Sequence, residues 1–93
     1  MRTIRRVKQF TRDYRRERSA PHAKKLDNLI GETVAMLAND QALPDRFHDH
    51  VLAGKWKNHR DCHILPDLVL IYRKPDDHTL ELIRLGSHSE LGL

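Results

Sequence analysis

The sequence predicts an α+β fold, with an N-terminal edge strand and two helices packed on a mostly antiparallel four-stranded sheet. Three observations carry this. Leu26, Leu29, Ile30, Thr33, Val34 and Leu37 recur at i, i+3, i+4, i+7, i+8 and i+11, one apolar stripe at helical spacing. After Gly54 the period changes from 3.6 to 2. Within that second half, LVLIYR (68–73) is almost wholly apolar, as a central strand buried on both faces should be.

Taken in order, residues 2–7 (RTIRRV) are short and β-capable and are bounded by polar residues, which suits an edge strand. Residues 8–18 predict a helix, because Val7, Phe10 and Tyr14 share one face and Arg and Lys cover the rest. Ser19-Ala20-Pro21 interrupts the pattern and restarts it, with Ser19 as N-cap and Pro21 in the first turn of a second helix over about 20–39. Gly31 lies inside that helix at a cost of ~1 kcal/mol relative to Ala. Asn39-Asp40 ends it, and 40–55 is a polar connection through Pro44 to Gly54. Lys55–Ile64, Leu68–Lys74 and Thr79–Leu85 are three strands, turned by Pro66-Asp67 and by Pro75-Asp76-Asp77-His78. The order β-α-α-β-β-β gives one domain over residues 1–93, with helices on one face of the sheet.

Length and composition narrow the function. With 93 residues there is room for one small core, and folds needing ~200 residues or more are excluded. No run of ~18 apolar residues could span a membrane. The basic N-terminus lacks the apolar stretch of a secretory signal. A single Cys argues against a disulfide scaffold and fits a reducing cytoplasm. Charge is divided unevenly. Residues 1–25 hold ten basic and two acidic side chains, a net +8, and residues 26–93 carry a net −4. Arg2, Arg5, Arg6, Lys8, Arg12, Arg15 and Arg16 thus offer a basic pole for a polyanion such as RNA or a ribosomal surface, or an ordinary solvated face.

The chemistry concentrates in His48–Asp67, HDHVLAGKWKNHRDCHILPD, which holds four of the seven histidines, the only Trp and the only Cys. On a strand, alternation puts His59, Asp61 and His63 on one face and Arg60 and Cys62 on the other. HxxxH on a helix would set two imidazoles for zinc, but Trp56 and Pro66 favour a strand here, and no CxxC or HExxH is present, so no metal or other cofactor is expected. Cys62 reads as a small buried residue. No Gly-rich phosphate loop and no GxSxG occur. His, Asp and Arg beside a basic pole suit cleavage of RNA by its own 2′-OH, which needs a base, an acid and positive charge. His22, His48, His59 and His78 are given no functional role.

The residues His48-Asp49-His50-x-Leu52-x-Gly54-x-Trp56, Arg60-Asp61-x-His63-x-x-Pro66-Asp67, Leu70-Ile71-Tyr72 and Arg84-x-Gly86-Ser87-His88 resemble the RelE/ParE superfamily of bacterial toxins, and its YafQ branch in particular. The likeness covers nearly the whole chain. It implies a type II toxin that cuts mRNA on the ribosome, with catalytic positions at His50, His63, Asp67 and His88. Asp61 would orient a partner and Arg84 would face the phosphate. His88 is then the general acid, and Asp67 or His50 the base or its orienting group. The implied partners are the ribosome with its mRNA and a small cognate antitoxin, which would bind operator DNA as a complex. Members of this branch tend to carry a base-contacting aromatic a few places after the last His, and this chain ends His88-Ser-Glu-Leu-Gly-Leu93 without one. Two other classes remain open. A ParE-like toxin that binds a protein such as gyrase would not need the His/Asp set. A basic RNA-binding domain without chemistry would be expected to present more aromatics for stacking.

Overall fold

The computed structural model describes every residue except His22, one of the four histidines given no role from sequence, which lies outside the described residues. Its elements are β1 (Thr3–Arg6), α1 (Lys8–Arg18), α2 (Ala23–Ala38), β2 (His50–Val51), β3 (Arg60–Leu65), β4 (Leu68–Arg73), β5 (Thr79–Gly86) and α3 (His88–Leu91). Short 3₁₀ turns occupy Asp45–Phe47 and Gly54–Trp56. The sheet order is β1-β5-β4-β3-β2, with β1 parallel to β5 and every other pair antiparallel.

The predicted fold class holds, with five strands in place of four. The additional strand is the two-residue β2, which pairs His50 with Asp61 and Val51 with Arg60. Two exposed residues give no periodic signal, because their strand is held only by backbone pairing along β3. The strand predicted from Lys55 begins at Arg60, because Gly54–Trp56 coils into a 3₁₀ turn, and Asn58 follows with a φ of +68°. Ser19 closes α1, its N–H donating to the Arg16 carbonyl while the Ala20 N–H donates to that of Glu17, and α2 starts only at Ala23.

Period-2 alternation sorts β4 between two cores. Leu68, Leu70 and Tyr72 pack under the helices with Phe10, Leu26, Ile30, Val34, Leu37, Cys62, Leu80, Leu82 and Leu85. Val69 and Ile71 point the other way, into a smaller cluster with Leu91, flanked by Leu52, Trp56 and Ile83. The predicted double burial of LVLIYR follows from this, since all of Leu68–Tyr72 is at most 2% exposed. Thr33, buried in α2, satisfies its hydroxyl on the Leu29 carbonyl one turn back at 2.8 Å.

The edge of β5 explains why α1 sits where it does. β1 covers that edge only as far as Leu82, so Leu85, which sits opposite Leu70 of β4 on its other side, meets no strand along the outer edge of β5. Two side chains of α1 fill the gap. The Asp13 carboxylate accepts from the Leu85 N–H at 3.0 Å, and the Arg16 guanidinium donates to the Leu85 carbonyl at 2.8 Å. Asp13 also takes Arg84 Nε–H at 2.7 Å. Burial pushes the Asp13 carboxyl up, but the bonds from Arg84, the Leu85 N–H and Gln9 more than offset it, leaving its pKa below the ordinary 3.8. Among the described residues no helix is long and apolar enough to cross a membrane.

Candidate active site

β3 positions the first half of the site. Its alternation sends Cys62 and Ile64 into the helix-side core and Asp61 and His63 to the opposite face. Burial pushes the Cys62 thiol far up, so it stays protonated and is no nucleophile. β2 then sets His50 across from Asp61. His50 Nδ1 lies 2.7 Å from the His48 carbonyl and 3.0 Å from Asp61 Oδ1. A carbonyl oxygen only accepts, so Nδ1 carries the hydrogen and Nε2 is left with a lone pair. That N–H serves the carbonyl, and Asp61 Oδ1, although close, has no hydrogen bond of its own. Asp61 is 2% exposed, and burial raises its pKa despite the pull of His50, His63 and His88.

The second half comes from the β3–β4 turn and the C-terminal helix. Asp67 sits in the turn after Pro66. Its Oδ1 accepts from the His88 backbone N–H at 3.3 Å and meets His88 Nδ1 at 2.9 Å. His88 again has its hydrogen on Nδ1 and its Nε2 free. The His88 contacts draw the Asp67 carboxyl below its ordinary value. A reciprocal capping box fixes α3: Ser87 Oγ accepts from the Glu90 N–H, and Glu90 accepts from the Ser87 N–H. Trp56 ties its far end down, the indole N–H donating to the Leu91 carbonyl at 3.2 Å.

His63 lies between the two halves. Its ring is 4.9 Å from that of His88 and 5.1 Å from that of His48, centroid to centroid. Burial first, and then the neighbouring His88, hold its pKa below 6.5 despite Asp61, so it is neutral at pH 7.

The structure thus brings His50, Asp61, His63, Asp67 and His88 onto one face. It does not leave Arg84 free among them. Arg84 shares a cross-strand row with Ile71, Asp61 and His50, but its guanidinium turns to Asp13. The basic pole also divides. Arg2 holds Asp40 at 2.8 Å with its side chain 14% exposed, and Arg16 is bound to Asp13, Glu17, Glu90 and the Leu85 carbonyl, so both serve the fold. Arg5, Arg6, Lys8, Arg12 and Arg15 remain exposed, Arg5 reaching Glu81 at 3.4 Å. His48, given no role from sequence, is solvent-exposed and stands with its ring beside His63. The only signal for it was its place two residues before His50. Among the described residues no group of three or more His, Cys, Asp or Glu is placed to hold a metal ion.

The molecule is thus a small five-stranded α+β domain with paired histidines and carboxylates on its open sheet face. Residues 2–92 match the model of a family described as the bacterial toxin of type II toxin–antitoxin systems, YafQ, and the chain belongs to that family. It is 38% identical over 68 residues to the mRNA interferase toxin YafQ of Escherichia coli K12, covering 73% of each chain. Among solved structures it is similar to YafQ from E. coli BL21(DE3), with a TM-score of 0.81, 31% identity and 98% of each chain covered. YafQ in the E. coli DinJ–YafQ complex gives a TM-score of 0.79 at 32% identity, again over 98% of each chain. A toxin from Helicobacter pylori, crystallised with bound metal, gives 0.81 at 39% identity over 98% of this chain and 99% of that one.

Proposed function

We propose that this toxin is an endoribonuclease that cuts mRNA in the decoding site of the ribosome. The observation that carries the reading is the pair of imidazole–carboxylate couples, His50 with Asp61 and His88 with Asp67, flanking a neutral His63. In the reaction, the 2′-oxygen attacks the adjacent phosphorus while His50 Nε2 takes its proton. The P–O5′ bond breaks, and His88, protonated at Nε2, supplies a proton to the leaving oxygen. The products are a 2′,3′-cyclic phosphate and a 5′-hydroxyl. Asp67 orients His88 and stabilises its imidazolium form, and Asp61 does the same for His50 as it gains the proton. His63 donates to a phosphate oxygen as the charge develops. Arg84, with its guanidinium held by Asp13, adds positive charge only at longer range.

No metal takes part in this chemistry. Turnover by metal-stripped protein on ribosomes kept in magnesium checks that point, and stoichiometric zinc or copper whose removal abolished turnover would overturn it. The toxin acts in the cytoplasm, where the ribosomes are. Its cognate antitoxin covers the site or the basic face, and the pair binds operator DNA. DinJ with E. coli YafQ is a precedent for such a complex. Induction in bacteria with mapping of mRNA 5′ ends tests the whole reading. Cuts should fall within translated regions and vanish with His88→Ala. Growth arrest with intact messages would instead favour a protein target.

A further inference from the structure

The row of imidazoles adjoins a pocket that the acid–base chemistry leaves unused. It lies between α2, the Asp45–Phe47 turn and the end of β3, with a volume of about 440 Å³. Binding pockets for small ligands run from ~300 to ~1,000 Å³, so one base and its ribose fit. Phe47 and Leu65 supply apolar wall, His48 and His63 form the side shared with the catalytic row, and Glu32 and Arg46 also line it.

Two features mark it as more than a surface dent. Glu32 and Arg46 are both exposed and carry opposite charges in one pocket, yet among the described residues no ion pair joins them or engages Glu32 elsewhere. The Arg46 guanidinium carbon stands over the Phe47 ring, 4.8 Å from its centroid. His48 is held in the left-handed region, with φ of +48°, and its ring stands against His63. The flat faces next to the reacting phosphate are therefore imidazoles and a guanidinium, on the side away from α3. On the α3 side, Leu91 is only 1% exposed, packed with Val69 and Ile71, and offers no face to a base.

Bases released from a helical stack are recognised by stacking on such planes and by hydrogen bonds to their edges. A carboxylate only accepts and a guanidinium only donates. Guanine alone among the RNA bases presents two adjacent donors, N1–H and the N2 amino group, on one edge, with two acceptors, O6 and N7, beyond them. Adenine would turn a lone pair on N1 toward Glu32, an unfavourable pairing. Given the nuclease reading, we propose that this pocket seats a guanine flanking the scissile phosphate, with His48 and Arg46 as stacking planes and Glu32 accepting from its N1–H and amino group.

The first test is cleavage of ribosome-bound messages carrying each of the four bases on either side of the cut, read from the mapped 5′ ends. Guanine should be enriched at one flanking position, and Glu32→Gln should lower the guanine-to-adenine ratio by about tenfold, the discrimination of one good bidentate contact. Cleavage that ignores the flanking base, or a ratio unchanged in Glu32→Gln, overturns the proposal and leaves the nuclease reading intact. The second test does not depend on turnover. Titration with 3′-GMP and 3′-AMP, followed by amide chemical shifts, should move Phe47 and Leu65 with GMP only, and Glu32→Gln should abolish the response. Equal responses to both nucleotides, or none to GMP, also overturn it. A chain that binds GMP in this way but cuts no message keeps the subsite and loses the nuclease.

Discussion

His50 and His88 share one device, an Nδ1–H engaged by a fixed acceptor, which leaves Nε2 as the nitrogen that takes up or gives a proton. Each is more than one-third exposed at its side chain, and Asp67 is 74% exposed, so these groups contribute little packing. Alanine at His50, His63, Asp67 or His88 should therefore cost at least ~100-fold in cleavage and little in stability. Parallel toxicity and melting assays check this, and four folded, fully toxic variants would refute the site. Asp61 behaves differently. It is buried, its Oδ1 lacks a hydrogen bond, and its pKa in the folded chain is raised. The folded state then binds more protons than the unfolded chain just above pH 3.8, so the Asp61 contribution weakens as pH rises through that window. Asp61→Asn should match or exceed the wild-type melting temperature at pH 7, show a smaller advantage at pH 4, and lose activity. A clear loss of stability at pH 7 would mean that Asp61 is a structural ion-pair partner and not a strained catalytic group. His63 has the opposite sign. Its folded pKa lies below the unfolded ~6.5, so stability should fall as pH drops through 6.5, less so in His63→Gln.

At the scale of elements, the apolar stripe of α2, the α1 boundaries and the two-sided burial of β4 were legible because periodicity reports burial directly. Leu26, Ile30, Thr33, Val34 and Leu37 are all buried. The His/Asp face of β3 was legible for the same reason, since alternation separates Asp61 and His63 from Cys62. What was not legible depends on pairs far apart in the chain. Asp13 and Arg84 are 71 positions apart, and nothing local distinguishes Arg16 from Arg12 or Arg15 until the uncovered edge of β5 is seen. β2 and the ring of His48 depend likewise on the path of a loop that carries no periodic signal. The edge cap makes a strong prediction. Asp13→Ala leaves Arg84 and the Leu85 N–H without a partner, which for a buried ion pair costs about 3–5 kcal/mol. Of the 5–15 kcal/mol typical of a domain, that is a large share, and the melting temperature should fall by more than ~10 °C. Because the Asp13 pKa is lowered on folding, its stabilisation is present above 3.8 and lost as pH falls below it. Wild type should lose stability in acid where Asp13→Ala does not; parallel acid unfolding curves for the two would contradict the cap.

For the whole molecule, the charge division acquires a direction from the fold. The exposed cations Arg6, Lys8, Arg12 and Arg15 come from β1 and α1, whereas the His/Asp row lies on the sheet face opposite the helix-side core. A small domain with an open, shallow row cannot by itself bend RNA so that the 2′-oxygen, phosphorus and 5′-oxygen align, and a misplacement of ~1 Å can cost ~100-fold. A ribosome that already holds its message splayed in the decoding site can provide the alignment, and the basic pole can then dock on ribosomal RNA. Naked RNA should be cut slowly and with weak selectivity, ribosome-bound message quickly. Reversing Arg6, Arg12 and Arg15 to Glu, while sparing Arg16 for its role at Leu85, should weaken ribosome binding and flatten its dependence on salt, since fewer counterions are released. The same variant should keep the wild-type rate on a short RNA, because the reversed side chains lie outside the His/Asp row. Equal rates on naked and ribosome-bound message, at matched enzyme and salt, would make this a free ribonuclease and remove any need for the basic pole.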